Sequence, residues 1–349
     1  MLMRKNKWYI ISFLLLTSLA SPAQETAKQA VKKNRFFKDE SPIMMDLSTD
    51  LKKLVSQKKL DSYQPATITL RFPDSSVISE EIRLTARGEF RRQNCFLPTM
   101  KLDFRNPGSP QLAPLKKLKL VCGCGTGTEN ERLVLKEFLV YKMYNLLTDL
   151  SFRVRLLRIN YQDTRGKIKS YTQYGFFIED VDEMAKRNKC YEVQKQIFNT
   201  EKTDRKHMTL VAVFQYMIGN TDWAIPNYHN MKLMRPVTDS AASPLPVPYD
   251  FDFCGVVDAS YATPDENLGT KSVTERVYRG FPRTMDELQM TLDIFREKKE
   301  AIKELVKNFE LLPSRFRDEI IYYLNEFYKS IESKNFVEDV FITNARSRS

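Results

Sequence analysis

The order in which two hydrophobic patterns follow one another limits the fold of this chain most. Apolar and polar residues alternate over 66–72 and 81–87, the period-2 pattern of strands with one buried face. Pro73, Asp74, Ser75 and Ser76 between them have turn chemistry, which predicts a hairpin. Two more short strands are predicted over 100–104 and 118–121, joined by a Pro-rich stretch at 107–114. The pattern then turns helical. Thr128 and Glu131 have capping-box spacing, and Leu133, Phe138, Leu139, Met143 and Leu147 put apolar groups on several sides of a buried helix over 129–147. Strands over 154–161 and 171–178 follow, with a turn at Arg165-Gly-Lys167. A short helix is expected over 180–187, and an apolar one over 208–218 that stops at Gly219. Short strands at 231–234 and 247–251 precede two long helices. One is capped by Thr284 and Glu287 and runs to about 311; the other covers 314–330, beyond Pro313. No internal repeat is present. Strands first and helices last make the chain α+β.

The N-terminal segment reads differently. Arg4, Lys5 and Lys7 precede an apolar run over 8–20, and Ser21, Pro22 and Ala23 are small residues suited to cleavage. This is the pattern of a secretory signal peptide over 1–23, with a Lys-rich lead-in over 24–40. The apolar run falls short of the ~20 residues of a membrane span, so the expectation is an exported protein, periplasmic or extracellular, with no stable membrane insertion. Net charge is +11, three of it from the signal segment. No dense basic block or nucleic-acid motif accompanies it, so nucleic acid is not an expected partner. Five cysteines (95, 122, 124, 190 and 254) allow a bridge in an oxidising compartment and leave at least one thiol over. Cys122 and Cys124 are too close for usual zinc spacing, and His207 and His229 are the only histidines.

Several chemistries are excluded by pattern. There is no GxxxxGK[ST] loop and no GxSxG elbow, and Gly123-Cys-Gly125-Thr-Gly127 has Thr128 where a dinucleotide fingerprint needs glycine. The informative stretch is 219–255. It contains Gly219-Asn-Thr-Asp222, then Asn227-Tyr-His-Asn230, then Asp250-Phe-Asp252-Phe-Cys-Gly255. Phosphoryl transfer uses one carboxylate to receive the proton of the attacking hydroxyl, with an amide oxygen and a further carboxylate holding Mg²⁺ on the phosphates. A hairpin of 231–234 and 247–251 would bring Asp222, Asn230 and Asp250 or Asp252 to one edge.

On these residues the chain resembles the CotH-type atypical protein kinases. Asp222 resembles the catalytic-loop Asp, Asn230 (or Asn227) the metal-binding Asn, and Asp250 or Asp252 the metal-binding Asp, with Asp252-Phe-Cys-Gly255 similar to a DFG motif carrying one insertion. Arg87-Gly88-Glu-Phe resembles the family's Arg-Gly-Asn-Ser turn. Lys101, with Lys119 as competitor, resembles the nucleotide-contacting Lys, Glu137 its helix partner, and Glu179 the acid leading to the nucleotide hinge. The resemblance covers roughly 65–260. It implies a two-lobed protein-kinase-like fold: an N-terminal sheet with one helix over 41–180, a mainly helical C-terminal lobe over 181–335, and a tail over 336–349. It also implies transfer of the γ-phosphoryl group of ATP or another nucleoside triphosphate, with Mg²⁺, to a hydroxyl of a protein or small molecule. The competing expectation is an inactive binding or envelope-scaffold protein.

Overall fold

The computed structural model describes residues 36–37, 41–104, 108–109, 112, 115–193 and 198–345. The expected signal peptide and nearly all of the lead-in lie outside the described residues.

Seven strands close into a barrel in the order β1-β2-β3-β4-β5-β7-β6: β1 Ile43–Thr49, β2 Gln64–Arg71, β3 Val77–Arg87, β4 Thr99–Asp103, β5 Lys117–Val121, β6 Val154–Asp163 and β7 Tyr171–Ile178. Neighbours are antiparallel except at the closure, where β1 runs parallel to β6, Ile43 opposite Leu157 and Thr49 opposite Asp163. Alternation sends Ile43, Met45, Leu47, Leu84, Met100, Leu102 and Phe177 inward, all at most 1% exposed. This continuous interior is one of two hydrophobic cores.

The second core forms outside the barrel. Val154, Leu156, Phe176 and Ile178, on the outer face of β6 and β7, pack with α3 (Thr128–Leu147), α5 (Arg205–Ile218), α6 (Met285–Lys307) and α7 (Ser314–Ser330). The shorter helices are α1 (Leu51–Ser56), α2 (Glu89–Asn94), α4 (Val181–Arg187) and α8 (Lys334–Glu338). A three-stranded sheet, β10-β9-β8, joins β8 (Cys190–Glu192), β9 (Met231–Pro236) and β10 (Leu245–Pro248).

This corrects the expected fold. The chain forms a closed, mixed seven-stranded barrel with helices around it, not a two-lobed protein-kinase-like arrangement of an open sheet and a mainly helical lobe. Ile43–Thr49, assigned no element from the sequence, is the strand that closes the sheet. Helix α3, expected to belong to the sheet layer, shares its core with α5, α6 and α7.

Local expectations fared unevenly. Thr284 and Glu287 do form a reciprocal capping box on α6. Thr128 and Glu131 do not: Gly127 is the N-cap of α3, without a side-chain cap. Glu131 instead accepts the Tyr174 N–H and pairs with Arg158. Strand β10 ends at Pro248, so 249–251 leave the sheet. Cys95 and Cys124 form a disulfide, and Cys122, Cys190 and Cys254 are buried thiols. Among the described residues no helix is long and apolar enough to cross a membrane.

Candidate functional site

The site is built at the end of the β9–β10 hairpin. Helix α5 stops at Gly219, whose φ of 67° is left-handed. Asn220, 1% exposed, then organises the loop. Its Nδ2 donates to Gln215 Oε1 (3.0 Å), its Oδ1 accepts the Asp222 N–H (2.9 Å), and its carbonyl accepts the Trp223 indole N–H (3.2 Å). The loop returns through a bridge between Ala224 and His229. Asn230 Nδ2 then donates both to the Asp222 carbonyl (2.8 Å) and to Asp222 Oδ2 (2.9 Å). Asp222 Oδ1 lies 2.6 Å from His229 Nε2. Across the hairpin the Asn230 carbonyl accepts the Tyr249 N–H (3.0 Å), so Asp250 follows directly. Asp222 and Asn230 are thus hydrogen-bonded at one end of this hairpin, and the backbone of Asp250 follows the Tyr249 that bonds Asn230.

The backbone here is unusual. Tyr228, Asn230 and Asp250 all have positive φ, at 58°, 51° and 65°. Such conformations are uncommon outside glycine and cluster where surrounding structure enforces them, often at functional sites.

Facing this end is the outer face of the barrel. Thr85, Lys101 and Lys119 lie directly opposite one another across β3, β4 and β5, and therefore share a face. Lys119 Nζ stands 4.8 Å from the centre of the Tyr249 ring, a cation–π contact. Burial, then the charges of Arg87 and Lys232, lower its pKa to about 7, against the pull of Asp250 and Asp180. The Asp250 N–H donates to the Tyr141 hydroxyl (2.8 Å). Burial and the neighbouring Asp252 charge push the Asp250 carboxyl up to about 6, against Arg87, Arg91 and Lys119.

Asp252 is held more firmly. Its Oδ2 accepts from Arg91 Nε (3.2 Å), Arg91 Nη2 (2.9 Å) and the Tyr261 hydroxyl (3.0 Å). Arg91 also donates to the Cys122 carbonyl (2.7 Å) and stands 3.6 Å from Glu137 Oε2. Burial alone would lower the Arg91 pKa, but Asp252, Tyr261 and Glu137 raise it. Glu137 is 1% exposed, and burial together with Asp252 pushes its carboxyl well above the usual range, against Arg91 and the Phe251 N–H. The Cys95–Cys124 bridge fastens the end of α2, which carries Arg91, to the glycine-rich segment before α3.

The residues singled out from sequence divide accordingly. Asp222 and Asn230 are hydrogen-bonded partners, and Asp250 adjoins them. Asp252 sits deeper, paired with Arg91. Glu137 meets Arg91, not Lys101; Lys101 lies on the barrel face beside Lys119. Glu179 is committed to Arg187, which donates to it at 3.0–3.2 Å, and it accepts the Arg153 N–H. It therefore ties β7 to α4 and presents no free carboxylate. Asn227 accepts the His229 N–H and shapes the loop. Arg91, Tyr141, Tyr261 and Asn220 were not found from sequence. Arg91 and Tyr141 reach the site from helices α2 and α3, Asn220 stands within the motif over 219–222, two residues before Asp222, and for Tyr261 no local signal exists.

Whether these residues suit Mg²⁺ follows from their donor atoms. Among the described residues no group of three or more His, Cys, Asp or Glu is gathered to hold a metal. Asp252, expected as a ligand, has Oδ2 taken by Arg91. Asn230 directs its amide nitrogen to Asp222, which leaves its amide oxygen, and Asp250 receives no hydrogen bond from the described residues. Oxygen from one carboxylate and one amide, completed by phosphates and water, is a donor set that Mg²⁺ accepts. Asp250 and Asn230 are the pair that fits.

In comparisons with known proteins, the chain matches no family model and no curated protein.

Proposed function

We propose that this is an exported phosphotransferase that moves the γ-phosphoryl group of a nucleoside triphosphate, such as ATP, onto a hydroxyl of a protein or small molecule. One observation carries the reading: Asp222 is hydrogen-bonded to Asn230, and Asp250 follows the Tyr249 that bonds Asn230, opposite the barrel face that bears Lys119 and Lys101. Lys119, Lys101, Arg87 and Lys232 give that side the charge a polyphosphate needs. Lys119 is the better phosphate contact, because its electrostatic partners include Asp250 itself. Bound polyphosphate favours the charged ammonium, so ligand binding at pH 7 takes up a proton there. The Cys95–Cys124 bridge is what an oxidising compartment permits, which supports export.

The roles follow from position. Asp222 Oδ2, steadied by Asn230, accepts the proton of the acceptor hydroxyl as its oxygen bonds to the γ-phosphorus. The bond from that phosphorus to the β,γ-bridging oxygen breaks, and the nucleoside diphosphate leaves with its electron pair. His229, 2.6 Å from Asp222 Oδ1, holds the carboxylate in orientation. Asp250 and Asn230 would hold Mg²⁺, which when bound neutralises phosphate charge.

Thermal melting with and without nucleoside triphosphate and Mg²⁺ tests this. The wild type should rise by several degrees only when both are present. Asp250→Asn and Lys119→Met should abolish the rise. Asp222→Asn should keep it and lose phosphate transfer by about 100-fold or more. A wild type whose melting ignores nucleotide overturns the reading.

A second reading is an inactive binding or envelope-scaffold protein. The ion pair of Arg91 with Asp252, closed by Tyr261, favours it, since that carboxylate is occupied by the chain itself. Nucleotide-dependent stabilisation without transfer in the wild type would select it.

A further inference from the structure

A second cavity, of about 610 Å³, opens between α3, the segment after Asp252 and α7. Its size is that of a small-molecule site, and none of Asp222, Asn230, Asp250 or Lys119 lines it. Five charged side chains do: Lys136, Arg315, Asp258, Asp318 and Glu319. Asp258, Arg315, Asp318 and Glu319 are exposed at its rim and Lys136 is buried at its floor, and among the described residues none of the five forms an ion pair. This contrasts with the cavity on the barrel wall, where Arg83 pairs with Asp103 and Arg165 with Asp50.

Lys136 is the most telling. It is 7% exposed, its Nζ makes one hydrogen bond, 3.3 Å to the Val257 carbonyl, and it lies 5.8 Å from the centre of the Phe316 ring. An ammonium has three donors, and burying it this poorly satisfied costs stability. Burial lowers its pKa, while Asp258 and Glu319 act across the cavity to raise it. Arg315 lies over the Phe316 ring at 4.3 Å and has no carboxylate partner among the described residues. Asp258 holds a φ of 51°, a strained conformation of the kind kept at ligand clamps.

Charges of both signs that share a cavity without pairing can be bridged by a ligand that carries both signs. We propose that this cavity binds a small zwitterion with an extra positive charge, an amino acid or short peptide bearing a basic side chain. Its carboxylate lies against Lys136 and Arg315, and its amino and basic groups against Asp258, Asp318 and Glu319. A purely anionic ligand would meet three carboxylates. A purely cationic one would leave the Lys136 ammonium still wanting acceptors. Three acids against two bases favour one net positive charge on the ligand.

Isothermal titration calorimetry of the full chain with L-arginine and a Lys-containing dipeptide tests this. Agmatine, which lacks the carboxylate, and L-glutamate serve as controls. Saturable binding of the basic zwitterions is expected, with agmatine and glutamate at least tenfold weaker. Lys136→Met and Arg315→Gln should each weaken arginine at least tenfold and abolish its advantage over agmatine. Asp258→Asn, which tolerates the positive φ, should weaken both arginine and agmatine. Arg315 is exposed, so Arg315→Gln remains informative if Lys136→Met fails to fold. The proposal is overturned by absence of saturable arginine and dipeptide binding, by unchanged affinity in Arg315→Gln, or by glutamate or inorganic phosphate binding as tightly as arginine. Asp250→Asn should leave this binding unchanged, which separates its failure from failure of the nucleotide reading.

Discussion

The barrel interior and the cleft use burial in opposite ways. Inside the barrel, Leu84, Met100, Leu102, Leu120 and Phe177 are fully buried, so the seven strands close mainly around hydrocarbon, with Arg155, opposite Phe177 on β6, as a buried cation at its wall. Closure leaves no free sheet edge. A few residues away, on the outer face of the same strands, half-buried Lys119 lies within the electrostatic reach of Asp250, while Arg91, Glu137 and Asp252 are buried together within the protein. Buried charge is generally weaker support than packed hydrocarbon of equal volume. The barrel therefore supplies the stability that the cleft consumes. Such charge, with three non-glycine residues at positive φ, is what the proposed phosphate site would account for.

The largest effect should come from breaking the barrel. Phe177→Ala should cost about 3–5 kcal/mol, read as a lower urea midpoint, because Phe177 fills the interior where β7 meets β5 and β6. In the cleft, Arg91→Met should cost about 3 kcal/mol by leaving Asp252 and Glu137 without their cation. The two regions part in their response to a second change. Asp252→Asn should recover most of the Arg91→Met loss, since it removes the stranded charge, and should recover none of the Phe177→Ala loss. If both variants respond alike, charge is not what distinguishes the cleft. The Cys95–Cys124 bridge joins the two regions, and Cys95→Ser with Cys124→Ser should cost about 2–3 kcal/mol.

How much of this was legible depends on how local each cause is. Strands β2 to β7 follow from alternation within single segments. The α6 capping box follows from residues three apart, and the α7 boundary from Pro313. The barrel was not legible in the same way. Ile43, Met45 and Leu47 alternate as well as any strand here, but their meaning comes from pairing with β6 more than a hundred residues away. Without that closure the sheet reads as open, and a two-lobed fold follows wrongly. The cleft shows the same division. Asp222 and Asn230 are eight residues apart in a turn-rich stretch, and their hydrogen bond joins neighbours. Arg91 reaches Asp252 from 161 residues away, a contact that no local spacing marks, and the resemblance points to Lys101 as the partner of Glu137 in its place. Thr128 shows that local spacing can also mislead, since a cap depends on backbone angles and Gly127 had already taken the position.

Smaller effects sharpen the comparison through pH. The folded pKa of Asp250 is raised to about 6, above its unfolded value, so the native state binds more protons and stability falls as pH rises through this range. Asp250→Asn suits the positive φ and removes the cost. It should add on the order of 2 kcal/mol at pH 7 and nothing below about pH 4, where the unfolded carboxyl is also protonated. His207 acts with the opposite sign. It lies half-buried in α5, its Nε2 is buried without a hydrogen bond among the described residues, and desolvation lowers its pKa to about 4. Below its unfolded value the unfolded state binds the extra proton, so stability falls as pH drops from about 6.5 to 4. Between pH 6.5 and 5.5 this loss should be about 1 kcal/mol. Over the same window Asp250 gains, so the two partly cancel and the wild type should change little. Denaturant titrations at pH 7 and 5.5 separate them. His207→Gln should leave a protein that strengthens on acidification, and Asp250→Asn one that weakens. Parallel pH dependence in the two variants would mean that neither Asp250 nor His207 governs acid stability.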